Sequence, residues 1–157
     1  MQLLPKLLVL ACLLLSSLAQ AAIAPDLLKP LAGDDPDTRV AAVARIAALA
    51  TPEAARVLRA LQDGSLYAAP DGKVYLVDGE QAYDPASGRN VPLPDGIDGV
   101  MVNNRLRAAV AGALSGLQLL APERNARLAA AQALQKAVDP AQLPLIRTAL
   151  AQESDGE

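Results

Sequence analysis

Apolar residues recur at helical spacing in two parts of the chain, separated by a stretch that alternates as strands do. In the first part Val40, Val43, Ile46, Ala47 and Ala50 fall on one stripe, with Arg39 and Arg45 off it, which predicts an amphipathic helix with one buried face. Gly33-Asp34-Asp35-Pro36 precedes this helix, and Asp37 sits in its first turn, where a carboxylate favours the helix dipole. Thr51 is a good N-cap, Pro52 suits the first helical position, Glu53 adds negative charge and Asp63-Gly64 is a stop. A further helix is therefore expected between them. A short helix before Gly33 completes a first helical region, 22–64.

The same pattern returns downstream. Shifting residues 39–62 by 88 positions sets Arg39 on Arg127, Ala41-Ala42 on Ala129-Ala130, Pro52 on Pro140 and Arg59 on Arg147, without a gap. Val40 then matches Leu128, Ile46 matches Leu134, Val57-Leu58 matches Leu145-Ile146, and Asp139 replaces Thr51 as the cap. Helix pairs recurring in register predict stacked repeats, an α-solenoid.

Between the copies, residues 65–95 hold all three aromatic residues, Tyr67, Tyr75 and Tyr83, among frequent Gly and Pro. Two strand-like runs flank Pro70-Asp71-Gly72, and Asp-Gly favours a two-residue hairpin turn. A hairpin centred there pairs Tyr67 with Leu76 and Ala68 with Tyr75. Tyr67, Val74 and Leu76 then share one face, and Leu66, Tyr75 and Val77 the other. Residues 81–85 and 87–91 offer further strand pairing before Pro92 and Pro94 close the excursion. A long helix is expected after Asn103 or Asn104, with Leu106, Val110, Leu114, Leu117 and Leu120 on one stripe. Its Gly112 and Gly116 suit close packing inside the fold, because an apolar stretch of 14 residues, 108–121, is too short to span a bilayer.

The N-terminus changes the setting of this domain. Lys6, an apolar run over 7–15 and a small-residue stretch ending in Ala19-Gln20-Ala21 have the order of a secretory signal peptide, cut after Ala21 or, as a fallback, after Ala24. Cys12 lies inside the leader, so the mature chain is expected to hold neither cysteine nor histidine. That removes disulfides, most zinc sites, Ser-His-Asp and Cys-His arrangements and the usual near-neutral base. A net charge of −3 argues against a phosphate-backbone partner.

Few residues suggest chemistry. Asp34, Asp35 and Asp37 lack the oxygen-ligand spacing of a calcium loop, so helix capping is the expected role. The other acids mostly lie beside Gly or Pro in turns. No catalytic residue, cofactor or metal is expected, and the chain is read as no enzyme. The candidates are contact residues: Tyr67, Tyr75 and Tyr83, which offer rigid area with a polar tip, and Asn103, Asn104, Arg105 and Arg107.

The order of these elements, with Leu61-Gln62-Asp63-Gly64-Ser65-Leu66-Tyr67 and Val102-Asn103-Asn104-Arg105-Leu106-Arg107 as its most specific parts, resembles the N-terminal extracytoplasmic region of the UrtB family of urea ABC transporter permease subunits. The resemblance covers essentially the whole mature chain. It implies a mainly α, HEAT-like fold with a small inserted β-hairpin: leader 1–21, first repeat 22–64, insertion 65–95, long helix and second repeat 96–151, polar tail 152–157. It also implies a place on the periplasmic side of the inner membrane. The partners it implies are the other permease subunit and the periplasmic urea-binding protein, with an assembly or contact role. No segment after residue 22 could span a bilayer, so the family's permease core has no counterpart and a truncated chain is expected. The alternative is a free-standing periplasmic HEAT-like interaction module.

Overall fold

The computed structural model describes residues 22–136 and 140–154. The leader, the expected cap Asp139 and the last three residues of the tail lie outside them. The described residues form α1 (Pro25–Leu28) running into a 3-10 turn (Lys29–Ala32), α2 (Pro36–Ala47) and α3 (Pro52–Asp63). Five strands follow: β1 (Leu66–Ala68), β2 (Val74–Asp78), β3 (Gln81–Asp84), β4 (Arg89–Pro92) and β5 (Asp98–Gly99). The chain then forms α4 (Asn104–Leu117) with a 3-10 extension (Gln118–Leu120), α5 (Arg124–Lys136), a 3-10 turn (Pro140–Gln142) and α6 (Leu143–Gln152).

The expected α-solenoid with a small hairpin is overturned. The insertion is a five-stranded antiparallel sheet in the order β4-β3-β2-β1-β5, and the fold is a mixed one of helices and sheet. The expectation failed because a lone hairpin is marginal in water. Here β3 and β4 extend it on one side, while residues 93–97 carry the chain back to the other edge for β5 to pair with β1.

The hairpin register also differs from expectation by one residue. Tyr67 pairs with Tyr75, Leu66 with Leu76 and Ala68 with Val74. The turn takes three residues: Ala69 N–H bonds Lys73 O, Gly72 N–H bonds Ala69 O, and Gly72 adopts φ 82°. That is the three-residue hairpin in which glycine supplies the left-handed position. A one-residue slip exchanges the faces. Leu66, Ala68, Val74, Leu76 and Tyr83 therefore share the face toward the helices, and Tyr67, Tyr75, Val77 and Ala82 the opposite one.

The core lies where α1, α2, α3 and α4 meet the helix side of β1 and β2. Leu31, Ile46, Val57, Leu58, Leu61 and Val110 are wholly buried there, with Leu66 and Val74 from the sheet. Ile23 joins them at 1% exposure, and its N–H bonds Pro85 O in the β3–β4 turn. Local signals place these helices as expected. Asp35 accepts from Thr38 N–H at 2.7 Å, Thr51 accepts from Ala54 N–H at 3.2 Å, and Gly64 ends α3 at φ 75°. The α4 glycines lie under the last helical segment: a Cβ at Gly112 would stand 3.1 Å from Gln142 Nε2, and one at Gly116 3.1 Å from Leu145 Cδ1. Gln142 Nε2 donates to Gly112 O at 2.8 Å, through space that a side chain on Gly112 would occupy.

Candidate functional site

Residues 100–103 form a strap that returns the chain from β5 to α4. At its start Val100 N–H bonds Leu66 O, and at its end Asn103 Oδ1 accepts from Leu106 N–H at 2.8 Å, capping α4. Between these anchors Arg39 reaches from α2 and donates through Nη2 to Met101 O at 2.6 Å. Arg39 is 8% exposed, its Nε has no partner, and burial lowers its pKa against the opposing pull of the Asp34 carboxylate. A buried guanidinium is thus spent on holding one loop carbonyl, a costly arrangement unless the loop must be fixed.

The side chain carried by that fixed carbonyl points into water. Met101 is 83% exposed, the most exposed of the large apolar side chains among the described residues. In the first turn of α4, which the strap feeds, Arg105 Nη2 meets Asp37 Oδ1 at 2.5 Å and Arg107 Nη1 meets Asn104 Oδ1 at 3.1 Å, both on the surface. Tyr67 lies at the strap's start, its Cε1 3.9 Å from where a Cβ of Gly99 would stand.

The structure therefore joins the expected contact residues Tyr67, Asn103, Asn104, Arg105 and Arg107 along one strap and the helix it feeds. Tyr75 stands directly across from Tyr67 on the same sheet face and is nearly buried. Tyr83 belongs elsewhere. It lies on the helix side, 6% exposed, with the Arg56 guanidinium 3.7 Å above its ring centroid. Its hydroxyl pKa is raised, first by burial and then by the charge of Glu53 and a hydrogen bond to it.

Two members of the strap site escaped the reading of the sequence. Arg39 was placed off the apolar stripe of α2, yet Arg39, Val43 and Ile46 are buried together at helical spacing. The signal is that spacing, with Arg39 one turn before Val43 and two before Ile46 on the same helix face. Met101 lies in a short irregular segment with no periodicity to read. Asp35 caps α2 and Asp37 makes one surface ion pair, while Asp34 acts on Arg39 through its charge. Among the described residues no group of carboxylates could hold a metal, and no helix is long and apolar enough to cross a membrane. No family model, curated protein or solved structure matches the chain.

Proposed function

We propose that this chain is an extracytoplasmic contact domain of a urea ABC transporter permease subunit, which docks a protein partner on the strap around Met101. The family assignment rests on the sequence resemblance. The docking surface rests on one observation: an almost fully exposed methionine on a backbone anchored by a buried arginine. Exposed apolar area on a rigid support binds at small entropic cost, and the flexible thioether adapts to its counterpart. Arg105 and Arg107 add charged groups at the rim, which favour encounter and orientation more than affinity. The partners proposed are the periplasmic urea-binding protein and the other permease subunit.

A photoactivatable residue at position 101, introduced in cells that make the whole transport system, tests this. The expected adduct contains one of those two proteins, and Met101→Asp lowers co-purification with the same protein. Capture of neither by position 101, with the altered chain still folded, overturns the proposal.

A further inference from the structure

A second polar feature lies away from the strap. A cleft of about 460 Å³ opens between α3 and the helix side of β2, β3 and β4, within the size range of small-molecule sites. Asp78, Gln81, Tyr83 and Asn90 share that sheet face through the pairs Asp78 with Gln81 and Tyr83 with Asn90. Arg56 forms the opposite wall and Ser65 lines the end.

The charges in this cleft are arranged unusually. Arg56 and Asp78 line the same space, yet neither makes an ion pair with the other or with any described residue. Arg56 is held by its stacking on Tyr83 and by a side-chain hydrogen bond with it, which leaves the other N–H groups of the guanidinium to offer hydrogen bonds. Glu53, one turn before Arg56 on α3, is 8% exposed, and its Oε1 has no partner. A simple anion entering the cleft would meet Arg56 but also the Asp78 carboxylate, and a simple cation would meet the guanidinium. A molecule carrying both charges satisfies both walls.

We infer that the cleft binds a small zwitterion of the amino-acid class. The ligand carboxylate accepts from Arg56 and the ligand ammonium donates to Asp78. The side-chain amides of Gln81 and Asn90 and the Ser65 hydroxyl supply the remaining polar contacts. Two charge-assisted hydrogen-bonding ends, each conferring about tenfold or more in affinity, would fix the ligand's direction in the cleft.

The test is an amide chemical-shift titration of the whole labelled chain with three probes: alanine, N-acetylalanine, which lacks the ammonium, and alaninamide, which lacks the carboxylate. Alanine is expected to shift the Ser65, Gln81 and Asn90 resonances, with each blocked probe about tenfold or more weaker. In Asp78→Asn, alanine and N-acetylalanine should converge; in Arg56→Gln, alanine and alaninamide should converge. Both residues are exposed, so neither change threatens the core. No shift with alanine, equal shifts with all three probes, or discrimination that survives both substitutions overturns the inference.

Discussion

Two helix pairs in this chain have the same sequence pattern and different fates. In α2 and α3 the apolar positions Val43, Ile46, Val57, Leu58 and Leu61 are 0–1% exposed, because α4 lies across both helices. In α5 and α6 the counterparts are covered on one side only. Leu145, matching Val57, is buried at 3%, but Leu134 and Ile146, matching Ile46 and Leu58, are half-buried, and Leu128, matching the half-buried Val40, is 41% exposed. A groove of about 180 Å³, lined by Leu119, Leu128, Ala131, Ala149 and Leu150, runs between the second pair. Periodicity specifies which residues share a stripe, and a third element decides whether the stripe is covered.

The contrast is broken or upheld most directly in the core. Leu58→Ala, at a wholly buried site, is expected to lower stability by about 3 kcal/mol through lost burial and the cavity left behind. The matching change Ile146→Ala, at a half-buried site, should cost about 1 kcal/mol. Urea denaturation of the two variants measures both. Equal losses would mean that the second pair is as well packed as the first.

The difference also explains what could be read from the sequence. The caps Asp35, Thr51 and Asn103, the stop at Gly64 and the stripe of α4 were legible because each depends on a few neighbouring residues. The sheet was not. Its size rests on β5, two residues long, pairing with β1 from some 30 positions away, and its register on whether the turn takes two residues or three. Of the candidate site, Tyr67 and residues 103–107 were legible as chemistry. The buried Arg39 that fixes the strap was not, because a charged side chain on an apolar stripe needs its acceptor, Met101 O, before burial makes sense.

A smaller effect is expected where α5 and α6 are tied together. Arg127 Nε meets Glu153 Oε2 at 2.7 Å, Nη2 meets Oε1 at 3.0 Å, and Nη1 donates to Ala121 O at 3.1 Å and Pro122 O at 2.9 Å. One side chain thus joins the exit of α4, the start of α5 and the end of α6. Arg127→Met keeps the aliphatic stem and removes these bonds, at a cost of about 1–2 kcal/mol. Because the second pair has little other burial, the loss should appear as local opening. Hydrogen exchange should quicken in α5 and α6 and stay unchanged in α2 and α3. Uniform acceleration throughout the molecule would show the two pairs to be one cooperative unit.

The smallest expected effect concerns how α2 begins. Asp35 caps it, accepting from the backbone N–H and the hydroxyl of Thr38, and these bonds, the hydroxyl's first, hold the Asp35 carboxyl below its ordinary pKa. A carboxyl with a lowered folded-state pKa contributes stability that is complete above its unfolded value, near 3.8, and is lost as pH falls through the folded value. An acid titration followed by NMR should therefore show the Thr38 amide shifting with the Asp35 carboxyl, at a pH below the ordinary aspartate midpoint. Asp35→Asn retains an acceptor for the cap and should abolish the pH dependence of the Thr38 amide while leaving α2 formed. A Thr38 amide that moves at the ordinary aspartate midpoint would show that the cap is not made in solution. The burial of α2 beneath α4, and not its cap, would then account for the firmness of the first pair.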